Sequence, residues 1–500
     1  MRTVHDLSQL EWRLSGWTPH VWRFNKSMET GALSQAEIPP IPARVPGSVQ
    51  DALRAAGILP DWNVGLNARL CEWVENRHWV FETTLPNEWF PPTANSQQPL
   101  ANSIRLRCLG LDYCGCVLVN GKEVAQFRGS FVPHVFDFTP HLAAKDNRLA
   151  IVFECPPRWL GQFGYTSRMT EWKPRFNYTW DWVSRLVQTG IWDDIALEVT
   201  DGHAFQTNRH GPDIRCIADA DLRRGRGTLS VFWHVRGGAG RLVRVALEQG
   251  RRIVRAKRSA VAGQECPAHR RAAFGKLTWK DLPVELWHPN GRGRQPLYTL
   301  RCQVCDRAGK VLDEDVRRIG FKHLTWRQCA GAPRGADPWL CVVNGKPVFL
   351  QGVNWAPIRP NFADVSVDEY RQRLQLYRDL GFNLLRVWGG GVLEKECFYE
   401  LCDELGLLVW QEFPLSSSGV ENWPPEDAAS IERMKDIASS YIERRQHHVS
   451  LALWCGGNEL QGGLEGSKEG IGKPVDTAHP MIKALAETVA RHDPGRRFLP

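Results

Sequence analysis

The sequence predicts a multidomain β plus α/β protein: two β-sandwiches followed by an incomplete (β/α)8 TIM barrel. Three observations carry that reading. From about residue 70 to 200, short β-rich runs are broken by Gly, Pro and Asn turns. From about 201 to 330 the pattern repeats with Arg-rich connections, and from 336 onward strand and helix alternate. The expected domains are therefore 1–200, 201–330 and 336–500.

In the first domain, residues 79–85 (WVFETTL) and 116–119 (CVLV) are rich in β-formers. Asn120-Gly121 follows the second run, and both residue types tolerate positive φ, so a tight hairpin is expected there. In the second domain, 228–235 and 242–247 alternate apolar and polar residues. The basic run 251–258 (RRIVRAKR) reads as an edge strand whose charges discourage pairing with other chains. A Gly/Pro-rich linker at 330–335 leads to a strand at 349–353. Ser366 and Glu369 form a capping box, and Val367, Tyr370, Leu374, Tyr377 and Leu380 follow at helical spacing before Gly381. Further strands are expected at 383–388, 407–413 and 450–455, with helices at 394–405, 427–446 and 479–492. Residues 496–500 read as the opening of a fifth strand. Successive βα units require parallel strands with right-handed crossovers.

Composition excludes several function classes. No apolar run approaches the length of a membrane span, and residues 1–16 lack the apolar stretch of a secretory signal. Twenty Phe and 22 Trp supply enough apolar surface to exclude a disordered chain. The net charge of +8 is spread thinly, and its densest patches, 223–226 and 251–258, lack interleaved aromatics, so no nucleic-acid partner is expected. The 14 cysteines are scattered: Cys114 and Cys116 share one strand face, and Cys302 and Cys305 form a lone C-x-x-C without a second ligand pair. They are expected to be reduced thiols in a cytoplasmic protein that holds no metal. Asn25 and Asn177 match glycosylation acceptor patterns, discounted for want of a signal peptide.

Each βα strand ends in residues that a packed core does not require: Asn354-Trp355, Arg386-Val387-Trp388 with Gly389-Gly390-Gly391, Trp410-Gln411-Glu412, and Gly456-Gly457-Asn458-Glu459. A Rossmann G-x-G-x-x-G is absent, and the glycine triplet lacks the Lys-Ser or Lys-Thr of a phosphate loop. A barrel, whose strand ends meet on one face, accounts for these residues better than a doubly wound sheet.

These strings carry a resemblance. Asn458-Glu459 after an apolar strand is similar to the acid/base signature of retaining glycosidases. With 43–49 (ARVPGSV), 352–357 (GVNWAP), 386–391 (RVWGGG), 410–413 (WQEF) and 453–459 (LWCGGNE), it resembles glycoside hydrolase family 2 on its β-mannosidase branch. Trp180-Asp181-Trp182, with Gly190-Ile191-Trp192 downstream, is similar to a first-domain loop that reaches the sugar site. Trp355 stands where β-galactosidase and β-glucuronidase relatives usually carry a basic residue. The chain departs from the pattern at Thr179 and Val183-Ser184 around the Trp-Asp-Trp motif, at Glu412 in place of Asp, and at His448-Val449-Ser450 in place of His-Pro-Ser.

The resemblance implies a jelly-roll-like, sugar-binding-like first sandwich and an immunoglobulin-like second one. It further implies hydrolysis of terminal β-linked sugars in an oligosaccharide or glycoside by double displacement, with no cofactor. Glu459 is the expected acid/base and Asn458 the expected contact to the sugar 2-hydroxyl. Arg386 would orient the carboxylates, while Asp181 and Glu412 would bind outer hydroxyls. Trp180, Trp182, Trp355, Trp388 and Trp410 would supply apolar faces for the sugar. The attacking carboxylate of the family closes the seventh barrel strand. Glu465, Glu469 and Glu487 lie too soon after Glu459 for that place, so the nucleophile is expected beyond residue 500 and this chain alone is expected to be inactive. The alternatives are a non-catalytic carbohydrate-binding or scaffold module, and a family 2 hydrolase for β-galactosides, β-glucuronides or β-glucosaminides.

Overall fold

The computed structural model describes residues 2–90, 103–160, 164–200, 205–209, 211–236, 241–261, 272–416, 420–462 and 472–500. Glu465 and Glu469 lie outside the described residues.

The first sandwich faces a six-stranded antiparallel sheet, in the order Ile38–Ala43, Trp12–Trp17, His78–Thr84, Arg148–Phe153, Cys114–Val119 and Lys122–Arg128, against a four-stranded one. The smaller sheet runs Arg2–Asp6, Ile195–Thr200, Ser103–Cys108 and His134–Asp137. In Ser103–Cys108 every second residue is buried, the signature of one wetted face. The core between the sheets includes Leu14, Phe81, Leu106, Val117, Ile151 and Leu197, all fully buried. The Asn120-Gly121 hairpin forms with φ of 52° and 80°, and a side chain at Gly121 would lie 2.5 Å from the Met28 carbonyl oxygen.

The second sandwich packs Ile214–Asp221, Arg226–Arg236 and Ala272–Leu282 against Arg252–Ala260, Leu242–Gln249, Tyr298–Cys305 and Val311–Ile319. Arg252–Ala260 is an edge strand with most of its residues exposed, as its basic sequence requires. Cys302 and Cys305 are buried free thiols within Tyr298–Cys305. A small antiparallel sheet (Leu324–Arg327, Leu340–Val343, Lys346–Val348), unanticipated from the sequence, precedes the barrel segment.

The barrel segment is a five-stranded parallel sheet: β1 (Gly352–Trp355), β2 (Leu384–Val387), β3 (Leu408–Glu412), β4 (Leu451–Cys455) and β5 (Arg497–Leu499), in sequence order. The crossovers carry α1 (Val367–Asp379), α2 (Glu396–Leu405), α3 (Ala428–Arg445) and α4 (Pro480–His492). The capping box of α1 is present, Asp427 caps α3 through the Ser430 amide, and His479 caps α4 ahead of Pro480. Two expectations are corrected. Phe349 is 77% exposed and β1 starts only at Gly352. Leu380 is exposed because, at about 100° per residue, it sits roughly 120° round the helix from the buried Leu374. Val367, the first helical residue, is likewise exposed.

The first sandwich shares its packing with the barrel: Phe131, Val132, Trp172, Phe176 and Trp192 join one apolar cluster with Phe362, Leu385, Trp388 and Phe413. Beside that seam Lys173 and Asp112 form an ion pair whose side chains are wholly buried, at 2.5 Å. Lys173 also donates to the Gln188 carbonyl at 2.9 Å, and Asp112 accepts from Ser130 at 2.7 Å. Gln188 in turn accepts from the backbone of Ala363, next to α1.

Candidate active site

In a parallel sheet, residues in register on neighbouring strands project to the same side. Asn354, Arg386 and Trp410 are in register across β1, β2 and β3. Arg386 is the hub. Its Nε donates to Glu412 Oε1 at 2.7 Å, Nη1 to Asn354 Oδ1 at 3.0 Å, and Nη2 to Asn458 Oδ1 at 2.6 Å. Its guanidinium carbon stands 5.8 Å from the centre of the Trp410 ring.

Glu412 is 1% exposed, and its second oxygen accepts the Gly389 N–H at 2.7 Å. The first turn after β2 leaves little room there: a side chain at Gly389 would come within 2.6 Å of the Phe413 carbonyl oxygen. Burial pushes the Glu412 carboxyl from its ordinary 4.5 up to about 7, against the pull of Arg386 and the Gly389 amide. Of the two Glu412 oxygens, one holds the guanidinium and the other the Gly389 turn. Because its folded pKa is raised, the carboxyl contributes stability that is full below about pH 4.5 and is lost as pH rises through about 7. Glu412→Gln should flatten this part of the profile. In urea unfolding between pH 5 and pH 8, the wild type should lose up to roughly 3 kcal/mol relative to the variant; parallel profiles would show that Glu412 carries no such penalty.

At the end of β4 the chain turns sharply. A side chain at Gly457 would approach the Leu415 carbonyl oxygen to 2.5 Å, so the second glycine answers a close backbone approach. Asn458 donates its N–H to that same oxygen at 2.8 Å and is 4% exposed. Glu459 follows in the left-handed region, with φ of 51°, and is exposed. A non-glycine residue is held there by its surroundings. The holder is Asn422, 1% exposed, whose Nδ2 donates to the carbonyl oxygens of both Asn458 and Glu459. Asn422 Oδ1 lies 2.9 Å from the hydroxyl oxygen of Thr166, which accepts from Arg175 Nη1 at 2.8 Å. Sequence reading missed Asn422 and Thr166. They stand 256 positions apart, in loops without a motif, and no local signal marks either.

Trp180, Trp182 and Trp388 come together. Trp388 lies 5.4 Å from Trp180 and 6.4 Å from Trp182 between ring centres, and Trp182 stacks on Phe176 at 5.4 Å. Trp182 is 40% exposed, and Asp181, also exposed, occupies the tip of the turn closed by Trp180 N–H to the Val183 carbonyl. Trp355 does not join them. Its ring packs among Tyr370, Tyr377 and Phe398 of α1 and α2, and its Nε1 donates to buried Glu394 at 2.8 Å. The expected sugar contact is thus corrected to a strand-to-helix packing role, since β1 alternates and Asn354 takes the side that meets Arg386.

Comparison with known proteins agrees with this architecture. The model of the glycosyl hydrolase 2 galactose-binding domain-like family matches residues 22–193, that of glycosyl hydrolases family 2 matches 213–322, and that of the family 2 TIM barrel domain matches 338–498. Beta-mannosidase B of Emericella nidulans is 27% identical over 464 residues, 89% of this chain and 51% of the relative. Beta-mannosidase B of Thermothelomyces thermophilus is 27% identical, over 83% of this chain and 47% of its own length. The chain thus spans about half the length of the curated relatives it matches. Among solved structures, beta-D-mannosidase from Dictyoglomus thermophilum superposes with a TM-score of 0.79 at 24% identity, covering 100% of this chain and 57% of that one. Exo-chitosanase from Amycolatopsis orientalis gives 0.71 at 16%, covering 100% and 52%. Among the described residues no helix is long and apolar enough to cross a membrane. With all three of its domains matched by models of one family, the chain belongs to family 2 of the glycosyl hydrolases.

Proposed function

We propose that the protein is a retaining exo-β-glycosidase of the β-mannosidase type, with Glu459 as acid/base. The observation that carries this reading is the presentation of Glu459 at the end of β4, exposed and in a left-handed turn, next to an Asn458 whose amide is fixed by Arg386. Retaining hydrolysis needs one carboxyl group that first protonates the leaving oxygen and then deprotonates water, and a second that attacks the anomeric carbon. Glu459 would serve as the first, a role its exposure at the strand end supports. Asn458, its oxygen held by Arg386, would bind the sugar 2-hydroxyl, and Trp180, Trp182 and Trp388 would wall the ring. The attacking carboxylate is proposed to lie downstream of residue 500.

The β-mannosidase relatives favour mannosides, while the structural likeness to an exo-chitosanase and to beta-glucuronidases keeps glucosaminides and glucuronides on the test panel. The test is the native-length chain assayed on aryl β-mannoside, β-glucoside, β-galactoside, β-glucuronide and β-glucosaminide, with the product anomer followed by NMR. The expected result is the highest kcat/KM on the mannoside with retained configuration, and no turnover by the 500-residue chain alone. Inversion would sink the mechanism, and sugar binding without turnover would make the protein a carbohydrate-binding module.

A further inference from the structure

Away from the proposed sugar site, where the loop before β4 crosses α2, two adjacent imidazoles and a carboxylate converge. His447 Nε2 and His448 Nε2 lie 3.4 and 3.0 Å from Glu396 Oε1. All three potential ligand atoms fall within 4.8 Å of one another. The His448 spacing is that of an ordinary hydrogen bond, and the His447 spacing is longer than one. Donors about 2.0–2.1 Å from a tetrahedral zinc ion stand about 3.3 Å from each other, close to the two nitrogen–oxygen spacings here.

The surroundings are those of a ligand set. His448 Nδ1 is 2.8 Å from Asp403 Oδ2, and Asp403 is itself held by the Ser450 amide at 2.7 Å. This carboxylate–imidazole arrangement fixes the ring with Nε2 facing Glu396 Oε1, the atom with which it would share an ion. Arg445 binds the other oxygen of Glu396, leaving Oε1 as a monodentate ligand. The His447 side chain is 8% exposed, and its Nδ1 has no protein partner. The cluster borders a cavity of about 610 Å³ between the second sandwich and the barrel, lined also by Trp233, Arg317 and Arg318, which provides access and room for a fourth ligand such as water.

We propose that Glu396, His447 and His448 bind a divalent transition-metal ion, with zinc the best fit to two nitrogens and one oxygen at these spacings. The site is separate from glycoside chemistry. By joining the loop that opens β4 to α2, the ion clips together two crossovers of the barrel. Cysteine spacing, on which the expectation of no metal rested, is blind to it, because Glu396 lies about fifty positions before the histidine pair.

The test uses the whole chain, stripped with a chelator, desalted and titrated with zinc chloride, and separately with cobalt(II) and calcium. One zinc per chain is expected, with the ligand-field bands of tetrahedral cobalt and no calcium uptake. His447→Asn and Glu396→Gln should each weaken zinc binding at least about tenfold, and Asp403→Asn by about 10–100-fold through the ring it orients. Zinc should raise the unfolding midpoint of the wild type and not that of His447→Asn. Absence of stoichiometric zinc, binding unchanged in both ligand variants, or cobalt absorption with thiolate charge-transfer bands would each overturn the proposal. The wild-type titration and cobalt spectrum decide the matter even if a variant fails to fold.

Discussion

Replacing Glu459 by alanine in the native-length chain is expected to lower turnover of natural β-linked saccharides by about 10²–10⁴-fold. The same change should largely spare the glycosylation step on activated aryl glycosides. The asymmetry follows from the role. A sugar alkoxide leaves only if protonated, whereas a nitrophenolate leaves unaided. Glu459 is reached through a backbone kink at φ 51° that Asn422 pins through two carbonyl groups. Asn422→Ala should therefore reproduce the leaving-group asymmetry in weaker form, because the carboxyl remains but its backbone is released. Steady-state kinetics on a saccharide and an aryl glycoside, for both variants, are the measurement. Equal losses on the two substrates would remove Glu459 from the acid/base role.

The second large effect concerns stability. Lys173→Met should destabilise the protein by about 3–5 kcal/mol. Lys173 and Asp112 are both without solvent access, so removing the ammonium strands a carboxylate where water cannot reach it. Ser130 and Gln188 also contact Asp112, but neither carries compensating charge. Adding Asp112→Asn to Lys173→Met should recover a substantial part of the loss, since the amide is neutral and still accepts from Ser130. Denaturant unfolding of the two variants and the wild type checks this. If the double variant is no more stable than Lys173→Met alone, stranded charge is not the cause.

The elements of the barrel segment were legible in the sequence because each announces itself locally. Ser366 and Glu369 mark a helix start, and the expected starts at 427 and 479 fall within a residue or two of the observed ones. The polar strand ends were legible too, since Arg386, Glu412 and Asn458 interrupt otherwise apolar runs. What local pattern does not reveal is the facing of a residue on a short parallel strand covered on both sides. Asn354 and Trp355 are neighbours with opposite destinations, and apolar residues line both faces, so a one-residue ambiguity put Trp355 with the sugar instead of the helices. Glu412 shows a related limit: a rim carboxylate and a clamped one read alike until its exposure is known. Thr166 and Asn422 show a third, being paired only by tertiary structure.

That last pair bears on the order of assembly. Chains are made from the N-terminus, and domains fold in turn as they emerge. The sandwich that carries Thr166 and Arg175 is complete before Asn422, and then Glu459, leaves the ribosome, so the older module can template the younger one. Exchanging the first domain for that of a distant homologue with another residue at position 166 would leave the β4 turn without its brace. Such a chimera should hydrolyse saccharides slowly even where the homologue keeps the tryptophans of the 180–182 turn. The sandwich is in that sense an internal chaperone for one peptide unit.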